Sequence, residues 1–117
     1  MAAVKAGAAL TPARVKDAAP LFAALGDETR LRLLVRLCAS GPQSITRLGD
    51  EAPVSSQAIT KHLDVLCEAG LVRSSRQGRE RIWELEPKRL DDAHRYLERI
   101  SRQWDDALDR LRAFVER

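Results

Sequence analysis

Apolar residues recur along this chain with two periods, and the change from one to the other marks out its elements. In "VSSQAITKHLDVLCEAGLV", residues 54–72, Ile59, Leu63 and Leu66 fall at helical spacing on one face. Ser55, Ser56, Gln57, Thr60 and Lys61 crowd the first turns on the other side. Gly70 then stops the helix, and two short extended runs follow, "LVRSSRQ" and "ERIWELE", joined around Gly78. Trp83 and Leu85 share one face at the period of two that a half-buried strand requires. Glycine at the bend suits a turn needing positive φ, and Pro87 closes the hairpin.

Upstream, Thr11-Pro12 is a helix start, a hydroxyl cap with proline at the first helical position. Pro20 is expected to kink or restart that helix, which stops at Gly26. Asp27 caps the next one, with Glu28 in its positive first turn. There Leu31, Leu34, Val35 and Cys38 fall on one face and Leu33 and Leu37 widen it, the broad apolar belt of a central core helix. Ser44 caps a short helix, "ITRLGDEA", and "APVS" makes a tight turn to the Ser55 cap.

From Lys88 onward the pattern is one long helix. Leu90, Ala93, Leu97, Ile100, Trp104, Ala107, Leu111 and Phe114 step alternately by three and four, a heptad seam with Leu108 and Val115 beside it. At about 1.5 Å per residue the helix runs about 40 Å, too long to be covered by the small body before it. The fold class expected is therefore mainly α with a two-stranded β-wing: a winged helix-turn-helix with a long C-terminal dimerisation helix. Residues 1–10 read as a flexible tail, 11–87 as the DNA-binding domain, and 88–117 as the dimerisation helix. The seam places Leu90, Leu97, Ile100, Trp104, Leu108, Leu111 and Phe114 at the dimer interface.

Composition sharpens this only in places. The 117 residues suit one domain, and 44% apolar content is enough for a small core. A net charge of +3 does not by itself announce a polyanion partner, so its distribution matters more. Between Leu71 and Arg81 stand Arg73, Arg76, Arg79 and Arg81 against Glu80 alone, whereas the last helix is nearly balanced. Cys38 and Cys67 have no paired or metal-ligand spacing and, with no secretion signal in "MAAVKAGAALT", predict a cytoplasmic setting. No window approaches a membrane span.

The polar front of helix 55–69 has a physical reason in this fold. The second helix of a helix-turn-helix enters the major groove, its N-terminal side chains meeting base edges and phosphates. Ser55, Ser56, Gln57, Thr60 and Lys61 supply donors and acceptors without apolar bulk; Gln can pair bidentately with adenine, Lys with guanine or phosphate. Arg76, Arg79 and Arg81 on the wing 71–86 would grip the backbone, Arg79 best placed at the tip.

At "ALGDETRLRLLVRL", "ITRLGDEAPVSSQAITKHLDVLCEAGLV" and "RQGRERIWELEP" the chain resembles the ArsR/SmtB family of winged-helix bacterial repressors. Asp27, Arg30 and Leu31, the Ser-rich turn, His62-Leu63, Glu-Ala-Gly-Leu-Val and the Gly-Arg wing occur in order. The resemblance implies a homodimer, formed by the first and last helices, that binds a partly palindromic double-stranded DNA operator and blocks transcription. It also implies the recognition positions Ser55, Ser56, Gln57, Thr60 and Lys61, with Arg79 on the wing. Many relatives release DNA on binding a metal, but the ligand sets are incomplete here. Asp92 and His94 are present, while Asp105 and Leu108 stand where the second half of the terminal-helix site belongs, and half a site does not satisfy Zn²⁺. No metal and no cofactor are expected, His94 reads as a helix-surface residue, and the effector is not named by the sequence. Cys38 matches one cysteine of oxidant-sensing relatives, but the last helix has none; Cys67 reads as a small core residue near the buried edge of its helix. His62 reads as an orienting residue at the boundary between that helix and the body.

Two other classes compete. An enzyme lacks support, with two histidines, no phosphate-cradling glycine loop and no nucleophile beside a base. A winged-helix module for protein interaction, or for metal or redox sensing with little DNA readout, would have no need of the polar recognition face that this chain keeps.

Overall fold

The computed structural model describes residues 11–50 and 54–116. The expected tail, 1–10, and the join between the short helix and the next, 51–53, lie outside the described residues.

Helix α1 spans Pro12–Leu25, its first turn capped by Thr11 Oγ1, which accepts from the Arg14 N–H at 3.2 Å. Pro20 lies inside it, and the helix continues through without restarting. Helix α2 spans Glu28–Ser40, capped by the Asp27 carboxylate. Its apolar belt divides: Leu33, Leu34 and Leu37 are buried, but Leu31, Val35 and Cys38 face solvent. The belt is thus broader than the core it meets. A two-residue strand β1, Gln43–Ser44, leads into the short helix α3, Ile45–Gly49, capped by Ser44.

Helix α4, Ser56–Glu68, buries Ile59, Leu63 and Leu66 completely. Strands β2, Val72–Gln77, and β3, Glu80–Leu85, form the hairpin. The wing is joined by β1 on the far side of β3, so the sheet has three strands in the order β1-β3-β2, all antiparallel, with Gln43 opposite Trp83 and Ser44 opposite Ile82. The expected two-stranded wing is correct for its blade; two residues were too few to show a period. Helix α5, Pro87–Val115, completes the chain.

One core joins the five helices and the hairpin, with Leu21, Leu37, Leu48, Leu63, Leu71, Trp83 and Ala93 among its members. It covers only the start of α5. Leu90, expected at a dimer interface, packs on the chain's own core, whereas Leu97, Ile100, Trp104, Leu108, Leu111 and Phe114 are exposed. Along 29 residues the helix is about 43 Å long, and the molecule extends 67 × 30 × 23 Å. No described helix is long and apolar enough to cross a membrane.

Candidate nucleic-acid interface

The front of α4 is built by its cap. Ser55 Oγ accepts from the Ala58 N–H at 3.1 Å, so this hydroxyl oxygen is engaged in starting the helix. Thr60 Oγ1 donates to the Ser56 carbonyl at 2.9 Å, leaving its oxygen lone pairs as acceptors. Ser56, Gln57 and Lys61 are exposed. Farther along the same outward face come Asp64 and Glu68, also exposed. A polyanion is repelled there and attracted to the front, where Lys61 and the free N–H groups of the helix start lie. Only the first two turns suit contact with phosphates.

The position of α4 is fixed at its middle and at its C-terminal end. Beside its middle, the Arg30 guanidinium donates through Nε to the Ala24 carbonyl at 2.7 Å and through Nη2 to the Ala23 carbonyl at 3.3 Å, closing the end of α1. Its Nη1 lies 3.3 Å from His62 Nδ1 on α4, and Asp27 Oδ2 lies 3.8 Å from the same nitrogen. The Asp27 carboxyl is held below the usual carboxylate range, chiefly by the Arg30 backbone N–H and further by the charges of Arg30 and His62. His62 thus lies at the boundary between α4 and the body, as its place in the sequence suggests. The reach of Arg30 to two carbonyls of the preceding helix had no sequence signal.

At the C-terminal end, Gly70 has φ 79°. Its N–H donates to the Cys67 carbonyl and the Leu71 N–H to the Leu66 carbonyl, both at 2.9 Å, with Leu66 and Leu71 buried together. This paired closure needs a left-handed residue and turns the chain directly into β2. Cys67, expected as a core residue, is exposed: the buried stripe of α4 runs through Ile59, Leu63 and Leu66 and leaves the next position outside.

In the hairpin, Gly78 has φ 66° and Arg79 does not enter the positive region, which is the two-residue turn with glycine first. Arg73 lies 3.2 Å from Glu84 and 2.9 Å from Glu86, and Glu84 above all holds its guanidinium firmly protonated. Arg73, one of the four arginines of the wing, is therefore cancelled by its two carboxylate partners. The excess sits at the tip, where Arg76, Arg79 and Arg81 face only Glu80. Arg81 donates to Ser74 Oγ at 2.9 Å, and Arg76 stands opposite it in the ladder.

Among the described residues, no group of three or more His, Cys, Asp or Glu side chains converges to hold a metal. Asp92 is paired with Arg89 at 3.0 Å, and His94 lies exposed on α5.

Comparison with known proteins agrees with this geometry. A helix-turn-helix domain family matches residues 25–75. The HTH-type transcriptional regulator Rv2034 of Mycobacterium tuberculosis is 38% identical over 85 residues, 73% of this chain and 76% of that protein. An ArsR-like transcriptional regulator from Rhodococcus sp. RHA1 superposes with a TM-score of 0.82 at 39% identity, covering 92% of this chain and 97% of that one. HlyU from Vibrio cholerae N16961, at 23% identity and a TM-score of 0.64 over 77% of this chain and 97% of its own, shares the fold.

Proposed function

The chain belongs to the ArsR-like family of winged helix-turn-helix transcriptional regulators, and from that premise we propose that it works as a homodimeric repressor on a partly palindromic operator. The observation that carries this reading is the exposed pair Gln57 and Lys61 at the front of a helix whose outward face turns acidic behind them, beside a hairpin tip bearing three arginines.

In this mechanism α4 lies in the major groove. Gln57 pairs with an adenine edge, Lys61 reaches guanine or phosphate, and Ser55, Ser56 and Thr60 meet phosphate or bases through the capacity that their helix bonds leave. Arg76, Arg79 and Arg81 grip the flanking backbone, neutralising phosphates and releasing counterions. Residues 11–87 form the DNA-binding unit. Residues 88–117 join two copies through the exposed seam of Leu97, Ile100, Trp104, Leu108, Leu111 and Phe114, an apolar stripe that a lone chain would leave in water. Two recognition helices set about 34 Å apart then meet successive major grooves on one side of the duplex. Occupied in this way, a promoter is closed to transcription. The protein acts on cytoplasmic DNA.

Sedimentation combined with a salt series of duplex binding tests this. The expected result is a mass of two chains and an affinity that falls linearly on logarithmic axes as salt rises. A single-chain mass with no duplex binding at low ionic strength would overturn it.

A further inference from the structure

Between α1 and α5 lies a cleft of about 340 Å³ that the DNA-binding reading does not use. Its volume is within the range of small-ligand sites, roughly 300–1,000 Å³. Ala18 and Leu21 give it an apolar floor, Tyr96 a ring wall, and arginines its rim. Arg89 is immobilised there: Nη1 lies 3.0 Å from Asp92 and 3.5 Å from Asp17, and Nη2 donates to the Asp17 carbonyl at 3.4 Å. Among the described residues Arg95 is engaged only by exposed Asp91, a surface pair of little worth that a better anion displaces. Arg99 is half-buried and has no hydrogen-bond or ion-pair partner among the described residues.

We infer that this cleft is an effector site for a small organic monocarboxylate with an apolar body, its carboxylate taken by Arg99 and Arg95 and its body laid against Leu21 and Tyr96. One unpartnered guanidinium matches one negative charge, and the fork of arginine suits the two oxygens of a carboxylate. Asp17 and Asp92 stand against a more highly charged anion. On α5, Asp92, Arg95 and Arg99 lie roughly 110–170° around the helix from the Leu97–Trp104 seam.

The cleft is also connected to the DNA-binding parts. The aliphatic stem of Arg89 lies over Gly70, where a Cβ would come within 2.8 Å of the Arg89 Cγ. Gly70 is the residue at which the recognition helix becomes the wing. A carboxylate drawing on the arginines of the cleft redistributes the contacts of Arg89 and so bears on that junction.

The role as effector rests on the proposed DNA binding; occupancy of the cleft does not, and the two are measured separately. The full chain, without DNA, is titrated with phenylacetate, octanoate and inorganic phosphate by calorimetry and by amide NMR. One molecule of a carboxylate should bind per chain at up to millimolar concentration, shift the Gly70 amide, and bind about tenfold more weakly to Arg99→Ala. Arg110→Ala, elsewhere on α5, should leave binding unchanged. Saturation by neither carboxylate, or no effect of Arg99→Ala, would overturn the site; phosphate binding as tightly would overturn the carboxylate assignment. A bound carboxylate that leaves Gly70 unshifted would overturn the regulatory link. A wild-type chain that binds carboxylate but no duplex would reject the repressor reading alone.

Discussion

Arg76 and Arg81 stand directly opposite each other across the β2–β3 ladder, on the hairpin face that carries Val72 and Trp83 nearer the body. Facing like charges weaken a strand pair by about 0.2–1 kcal/mol. A hairpin selected for stability alone has no reason to hold them. Arg76→Thr is therefore expected to leave the fold as stable or to stabilise it by up to about 1 kcal/mol, read from the urea midpoint. The same change should weaken binding to all duplexes and reduce the logarithmic salt slope by about 1. A destabilised fold with unchanged salt slope would make this pair structural.

Arg30 is expected to matter to the whole body. It satisfies carbonyls of Ala23 and Ala24 at the end of α1 and reaches His62 on α4. Arg30→Ala should cost about 1.5–3 kcal/mol in urea unfolding, the range for hydrogen bonds from a charged donor. Arg30→Lys should recover little of it, because an ammonium lacks the planar fork that bridges the two carbonyls while reaching His62. Full recovery by lysine would show that only the charge is needed.

Acid should loosen the same cluster. The native Asp27 carboxyl titrates below its unfolded value, so the stability it adds is complete above the ordinary carboxylate range and is lost as pH falls through the lowered native value. Between about pH 6 and about pH 3 the urea midpoint should therefore decline less for Asp27→Asn than for the wild type. Equal declines would place the acid-sensitive carboxyls elsewhere.

Much of this architecture is legible in the sequence, and the failures have physical causes. The seam of α5 could be read because steps of three and four continued through Phe114. Gly70 and Gly78 could be read because only a few turns need positive φ. In α2 the same periodicity was ambiguous: Leu31, Val35 and Cys38 keep helical spacing as well as Leu33 and Leu37 do, and tertiary packing decides which stripe turns inward. The Arg30 clamp and the Arg73 pairs were hidden for a different reason. They join residues whose proximity is created by a helix end or a strand register, which composition does not encode. Of the candidate interface, the polar tip of α4 and the Ser55 cap were legible, while the bond of Thr60 to a helix carbonyl needed coordinates.

The exposed seam should hold two copies together. Leu97→Asp combined with Trp104→Ala is expected to give single chains by sedimentation, with duplex affinity lowered roughly a hundredfold or more as one half-site is lost. Both residues are exposed within the lone chain, at 52% and 64%, so the body should remain folded by circular dichroism. An intact dimer would move the interface to another surface.

Selection of bound sites from random duplex DNA tests the central claim most directly, carried out with the wild type and with Gln57→Ala. The account predicts two inverted half-sites with centres about one helical turn apart, and a Gln57→Ala consensus relaxed at one adenine in each half, costing about 1–3 kcal/mol on the wild-type site. Enrichment of a single unrepeated site, or the same consensus from both proteins, would contradict it.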